Sequence, residues 1–296
     1  MWDEVSGIGV RLANMSMPLP QPTTEAGAAG LAAILTAPEA AVIGLDFDGT
    51  LSPIVADPAA ARIHPDAPAV LVALGRLVRA VVIVTGRPVA SAIEYGTAPG
   101  GLGLSDVPGL VVLGQYGVER WENHAVTAPP PPQGVALVRQ ALPALVAAFG
   151  DRAWVKGVWI EDKGRALAVH TRRSADPQEA LAALREPLAE LAEEHGLAVE
   201  PGRMVIELRS PGVDKGDALL GFLAERSAKS VMFAGDDLGD LPAFAAVRAS
   251  GLPGLAVCSG SAEVGVLAER ADLVVDGPAG VVKLLAALVS TISRHP

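Results

Sequence analysis

Short apolar runs alternate with longer stretches of helical spacing along most of the chain. Val42–Leu45, Val81–Val84, Leu110–Leu113, Val231–Ala234, Leu255–Val257 and Leu273–Val275 read as strands. Their β-branched residues lack the polar alternation of a half-exposed strand, so they suit a parallel sheet covered on both faces. Helices are expected over Gly30–Ala37, Pro65–Arg79, Lys215–Arg226 and Gly280–Ile292, with another opened by Pro88. This order predicts a Rossmann-like α/β core with a doubly wound parallel sheet.

The pattern breaks after Trp121. Pro129–Pro132 cannot join a helix or an inner strand, and a helix is expected over Val135–Phe149. Two β-rich runs, Trp154–Glu161 and Ala166–Thr171, flank a turn at Gly164. A helix over Pro177–His195 and strands over Leu197–Glu200 and Met204–Leu208 follow. This αββαββ block predicts a smaller α+β domain inserted into the core. The expected organisation is an N-terminal extension over 1–25, core over 26–121 and 210–296, and insert over 122–209.

Composition narrows the possibilities. With 296 residues the chain can build two domains, and a hydrophobic content of 50% with only 4% aromatics makes alanine and valine the main packing material. No apolar run reaches the roughly 20 residues of a membrane span. Met1–Met17 lacks a basic start followed by an apolar core, and the single Cys258 precludes an internal disulfide, so a cytoplasmic protein is expected. A net charge of -10 argues against nucleic acid. No nucleic acid and no membrane partner is expected, an anionic small-molecule substrate would need a metal or a few placed cations beside it, and the chain is expected to be a monomer.

Four polar motifs interrupt the core pattern: Asp46-Phe47-Asp48-Gly49-Thr50, Thr85-Gly86-Arg87, Lys215 at a helix start, and Gly235-Asp236-Asp237-Leu238-Gly239-Asp240. Three of them directly follow apolar strands, and ligands of open α/β sheets bind at strand C-termini. Carboxylates crowded at one edge repel unless a cation is present, and an oxygen-only ligand set points to Mg²⁺. Asp46 and Asp236 are expected to ligate it, with the main-chain carbonyl of Asp48, while Asp237 and Asp240 complete the inner or outer ligand set. Asp46 is the expected nucleophile toward phosphorus, forming an acyl phosphate. Asp48 is the expected general acid and base, Thr85 a donor to the phosphoryl oxygens, and Lys215 the balancing charge.

These four motifs, in order, resemble the haloacid dehalogenase superfamily of phosphatases, and the inserted block resembles its type C2 cap. Gly114-Gln115-Tyr116-Gly117-Val118-Glu119, Trp159–Gly164, Leu167–Arg172 and Val205–Arg209 are similar to segments of trehalose-6-phosphate phosphatases. The resemblance covers about Val42–Asp276. The family more often carries His where Tyr116 stands, an aromatic where Thr171 stands, and Thr-Asp-Glu-Asp where Gly239-Asp240-Leu241-Pro242 stands.

The resemblance implies Mg²⁺-dependent hydrolysis of trehalose 6-phosphate, with Glu119, Glu161, Lys163 and Glu207 contacting the disaccharide. Carboxylates suit a hydroxyl-rich sugar because each accepts several O–H groups. Arg87, Arg120, His170, Arg172 and Arg209 fit a hinge or interdomain salt bridge as well as a substrate contact, and Arg87 is placed with the substrate-binding set. The insert is expected to close about linkers near Trp121 and Ser210. Two alternatives stay open: another sugar-phosphate phosphatase, such as one for sucrose phosphate, and a catalytically silent sensor.

Overall fold

The computed structural model describes residues 18–294 except positions 56, 58–59, 98–100, 203 and 261–264. Of the expected N-terminal extension, positions 1–17 lie outside the described residues. The rest runs into a helix, Glu25–Thr36, that starts earlier than the apolar spacing indicates. Thr24 caps it, its Oγ1 accepting from the Gly27 N–H at 3.0 Å.

The chain forms two compact units, 1–127 with 214–296, and 128–213. The larger is built on an eight-stranded sheet. Its strands are β1 (Ala41–Leu45), β2 (Ala80–Val84), β3 (Leu110–Gly114), β4 (Glu119–Glu122), β5 (Ala125–Thr127), β10 (Ser230–Gly235), β11 (Gly254–Gly260) and β12 (Leu273–Asp276), in the order β12-β11-β10-β1-β2-β3-β4-β5. Pairing is parallel from β12 to β3.

Every residue of β1, β2, β3 and β10 is buried, because helices cover both faces. The two-residue period of a strand sorts these side chains. Ile43, Leu45, Val81, Ile83, Met232 and Ala234 pack with Leu31, Ile34, Leu71, Leu74, Leu285 and Leu288 on one face. Val42, Val82, Val84, Val231, Phe233 and Cys258 pack with Leu219, Phe222, Phe244 and Val247 on the other. Gly44 makes room there, since a Cβ at this position would lie 2.8 Å from the Phe233 ring.

Two expectations need correction. The large sheet continues past Trp121 through the antiparallel pair β4 and β5. Asn123 and His124 both take positive φ, 50° and 62°, which closes a two-residue hairpin. The boundaries of the units therefore fall after Thr127 and Val213. The run Trp154–Glu161 is not one strand either: Ala153–Gly157 is a 3₁₀ turn whose buried Trp154 packs on Phe149, with ring centroids 5.1 Å apart. Its β-prone residues serve packing rather than pairing.

The smaller unit has four antiparallel strands, β6 (Trp159–Asp162), β7 (Leu167–His170), β8 (Ala198–Gly202) and β9 (Val205–Arg209), in the order β6-β7-β9-β8. Leu167, Val169, Ile206 and Leu208 meet Val138, Leu142, Leu184 and Leu188 from the helices Gln133–Ala147 and Pro177–Glu194. By alternation, Glu161, Ala168, His170 and Glu207 belong to the opposite face.

Asp272 braces one end of the larger unit. Its fully buried carboxylate accepts from Arg248 Nη2 at 2.6 Å, the Ala256 N–H at 2.7 Å and the Thr24 hydroxyl. Asp272→Asn turns one of these acceptors into a donor among donors. It is expected to cost about 1–3 kcal/mol, read from urea denaturation.

Candidate active site

Parallel pairing in register carries three motifs to one sheet edge. Leu45 pairs with both Ala234 and Ile83, so Asp46, Thr85 and Asp236 leave neighbouring strands at their C-terminal ends. The Asp46 N–H donates to the Ala234 carbonyl at 2.8 Å, continuing the ladder one residue past β1. The chain then turns at Gly49, where φ is +74° and a Cβ would lie 2.0 Å from Asp236 Oδ2. Only glycine allows the first and fourth motifs to approach so closely.

Lys215 lies in the first turn of the helix Lys215–Glu225, whose start is set by Asp214 Oδ1 accepting from the Gly216 and Asp217 N–H groups. Its buried ammonium donates to Asp46 Oδ1 and to Asp240 Oδ1, each at 2.7 Å. Asp240 Oδ2 accepts from the Asp236 N–H at 2.9 Å and the Asp237 N–H at 3.2 Å. Both Asp240 oxygens are thus committed to folding the loop and holding Lys215. Asp237 Oδ1 caps the following turn through the Gly239 N–H at 2.8 Å.

Asp46, Asp236 and Asp240 each offer a carboxylate oxygen within 4.8 Å of the others, all buried. One ammonium cannot neutralise this group. Burial pushes the Asp236 carboxyl up to about 9, with Asp46, Asp240 and Asp237 adding to the rise. Burial likewise raises Asp46 well above the carboxylate range against the pull of Lys215. Burial disfavours the Lys215 ammonium, but Asp240 and then Asp46 outweigh it and hold that group well above an ordinary lysine. This oxygen-only, charge-deficient cluster fits a hard divalent cation.

The cluster makes the cation-free fold pH-sensitive. A carboxyl that titrates near 9 when folded and near 3.8 when unfolded binds more protons in the native state, so its contribution falls as pH rises between those values. The melting temperature without cation is expected to fall from pH 5 to pH 9, and millimolar Mg²⁺ to reverse much of that loss. Asp236→Asn should flatten the pH dependence and blunt the Mg²⁺ response, both read by calorimetry.

The other expected site residues divide into two groups. Thr85, buried, accepts from the Arg87 N–H at 3.1 Å, and the Gln115–Gly117 turn packs beside it: the Tyr116 N–H donates to the Thr85 carbonyl at 3.0 Å and the Gln115 N–H to the Arg87 carbonyl at 2.9 Å. Arg87, placed with the substrate-binding set by sequence, forks onto Asp48. Glu119 accepts from the Val89 N–H at 2.8 Å and Gln115 Nε2 at 3.1 Å, holding the start of the helix Val89–Tyr95.

In the smaller unit, Lys163 Nζ lies 2.5 Å from Glu207 Oε2, and Glu161 Oε2 lies 2.8 Å from His170 Nε2. Glu207 is buried and its Oε1 has no hydrogen-bond partner among the described residues. An orphaned carboxylate oxygen beside an ammonium suits a ligand hydroxyl. Arg120 bonds Glu122 and Glu225, and Arg209 bonds Glu200, so both have anchoring contacts.

One contributor escapes sequence reading. Ser259, at the end of β11, donates to the Gly49 carbonyl at 2.6 Å and ties down the turn after Asp48. It lies 210 residues away in sequence and belongs to no motif.

Residues 44–278 match the family model described as trehalose-phosphatase. The chain is 33% identical over 285 residues to the trehalose-phosphate phosphatase of Mycobacterium tuberculosis, covering 91% of this chain and 66% of that protein, so it spans just under two thirds of that relative's length. It is similar to the structure of Aspergillus fumigatus trehalose-6-phosphate phosphatase, with a TM-score of 0.60, 25% identity, and coverage of 91% of this chain and 99% of that one. The fold alone is shared with a haloacid dehalogenase-like hydrolase from Bacteroides thetaiotaomicron, with a TM-score of 0.53, 17% identity, and coverage of 82% and 97%. On the match over most of its length, the chain belongs to the trehalose-phosphatase family, on a haloacid dehalogenase fold.

Proposed function

We propose that this protein hydrolyses trehalose 6-phosphate to trehalose and phosphate, with Asp46 as nucleophile and Mg²⁺ as cofactor. The observation that carries the reading is the buried Lys215 ammonium shared at 2.7 Å between Asp46 and Asp240, beside Asp236. An ion group of this kind costs stability, and its placement at strand ends suits a charged, transferring group.

Asp46, Asp236 and the main-chain carbonyl of Asp48 would hold the cation, which supplies charge neutralisation at the carboxylates and the phosphoryl oxygens. An oxygen of Asp46 attacks phosphorus, forming an Asp46–phosphoryl bond as the bond to the sugar oxygen breaks. Asp48 donates its proton to that leaving oxygen. It then accepts a proton from the water that attacks the acyl phosphate, which returns Asp46 and releases phosphate. Lys215 fixes Asp46, and Thr85 donates to the phosphoryl oxygens. Asp240 acts through Lys215 and the loop rather than as a direct ligand. In the smaller unit, Glu161, Lys163 and Glu207 are proposed to bind the sugar hydroxyls.

Phosphate release from trehalose 6-phosphate, sucrose 6-phosphate and glucose 6-phosphate, with Mg²⁺ and with chelator, tests the reading. The expected result is Mg²⁺-dependent turnover with kcat/KM highest for trehalose 6-phosphate. Preference for sucrose 6-phosphate would favour the alternative sugar, and no turnover of any ester would leave only a sensor.

A further inference from the structure

The Asp48 carboxylate does not stand free at the sheet edge. Arg87 Nε donates to Asp48 Oδ2 at 2.7 Å and Arg87 Nη2 to Asp48 Oδ1 at 2.6 Å, a planar two-pronged pair. The two partners differ in burial: the Arg87 side chain is 11% exposed and that of Asp48 41%. The Arg87 guanidinium lies 5.0 Å from the centre of the Tyr95 ring and 5.6 Å from that of Phe47. Arg62 covers Tyr95 as well, at 4.8 Å, so the ring is stacked by two guanidinium groups. The arginine is the more buried member of the pair and is packed against two rings, whereas the aspartate is the more exposed one.

We propose that Arg87 is a positioning residue that aims the Asp48 carboxyl at the leaving oxygen, rather than a contact to substrate. The inference rests on the acid-base role given to Asp48 under the proposed function. Both prongs hold the ionised carboxylate. In the acid form one oxygen stays on the guanidinium while the other carries the proton it delivers, so aim survives both halves of the reaction. Lysine has a single ammonium and cannot reproduce this fork.

The test uses kcat/KM, which reports only the steps through formation of the acyl phosphate. Arg87→Gln and Arg87→Lys are compared with the unaltered protein on trehalose 6-phosphate, phenyl phosphate and 4-nitrophenyl phosphate. Nitrophenolate leaves without a proton, so a misaimed acid harms it least. The expected losses are about 10–100-fold for trehalose 6-phosphate and phenyl phosphate, and under about threefold for 4-nitrophenyl phosphate. In an Asp48→Asn background, Arg87→Gln should add nothing. Equal losses on all three esters would overturn the proposal in favour of a phosphate contact, and a loss confined to trehalose 6-phosphate in favour of a sugar contact.

The unaltered protein separates this from the parent reading. If it hydrolyses the aryl esters but not trehalose 6-phosphate, the substrate assignment fails while the two aryl esters still decide the role of Arg87. Independently of turnover, a protected Arg87 Nε–H resonance is expected by nuclear magnetic resonance and should vanish in Asp48→Asn. Its absence in the unaltered protein overturns the pair itself.

Discussion

Asp46→Asn is expected to lower phosphate release by about 10³-fold or more while leaving the protein folded. The reaction needs an anionic oxygen that can bond to phosphorus, and an amide of the same shape offers none; removal of a nucleophile elsewhere in hydrolytic enzymes costs on this scale or above. The fold should tolerate the change for an equally local reason. Burial already disfavours the charged form of Asp46, so a neutral side chain relieves crowding with Asp236 and Asp240. Lys215 keeps Asp240 as its partner at 2.7 Å. The melting temperature without cation should therefore hold or rise. Steady-state turnover with an intact melting transition is the result to look for. Appreciable turnover by this variant would remove Asp46 from the nucleophile's role.

Lys215→Met is expected to damage both activity and stability. Methionine fills the space of the lysine stem but leaves Asp46 and Asp240 facing each other without their shared ammonium. Breaking a buried ion group from one side typically costs about 3–5 kcal/mol, because the charges left behind are out of water. The Lys215 ammonium is held above the ordinary lysine value of 10.5, so its contribution is complete below that pH and lost only as pH passes the higher, folded value. The deficit of the variant should therefore persist at pH 9. Mg²⁺ should restore part of the stability by supplying positive charge to the same carboxylates, while turnover stays lost. Urea denaturation with and without Mg²⁺ separates the two effects. A variant as stable as the parent in chelator would mean that Lys215 is not the counter-charge of the cluster.

The strand-end placement of the acids in this candidate site was legible in the sequence. The acids of Asp46–Asp48 and Asp236–Asp240 each follow an apolar strand, and a parallel sheet buried on both faces leaves its strand ends as the place for polar groups. Lys215 carried a weaker signal, a cation in the first turn of a helix, where the dipole does not favour it. Its unfavourable place is explained by two carboxylates that are distant in the chain.

Composition misled where packing and pairing draw on the same residues. Trp154 and Val155 have strand propensity, yet they lie in a 3₁₀ turn whose Trp154 is buried against Phe149. The hairpin of β4 and β5 has a weak signal in the sequence because Glu119, Arg120 and Glu122 break the apolar pattern with charge, although all three lie in β4, paired with β3 on one side and β5 on the other.

What the sequence alone determined was the set of chemical groups and the strand ends that present them. Period-two burial, glycine at a forced turn and capping residues are local properties, set by neighbours in the chain. Tertiary structure decided which group answers to which. Arg87 turned out to hold Asp48, Asp240 to hold Lys215, Glu119 to hold a helix start, and Ser259 to hold the turn at Gly49. Such partners depend on strand order and register, which bring Gly49 and Ser259, 210 positions apart, within hydrogen-bond distance, and no local pattern in the chain records that distance.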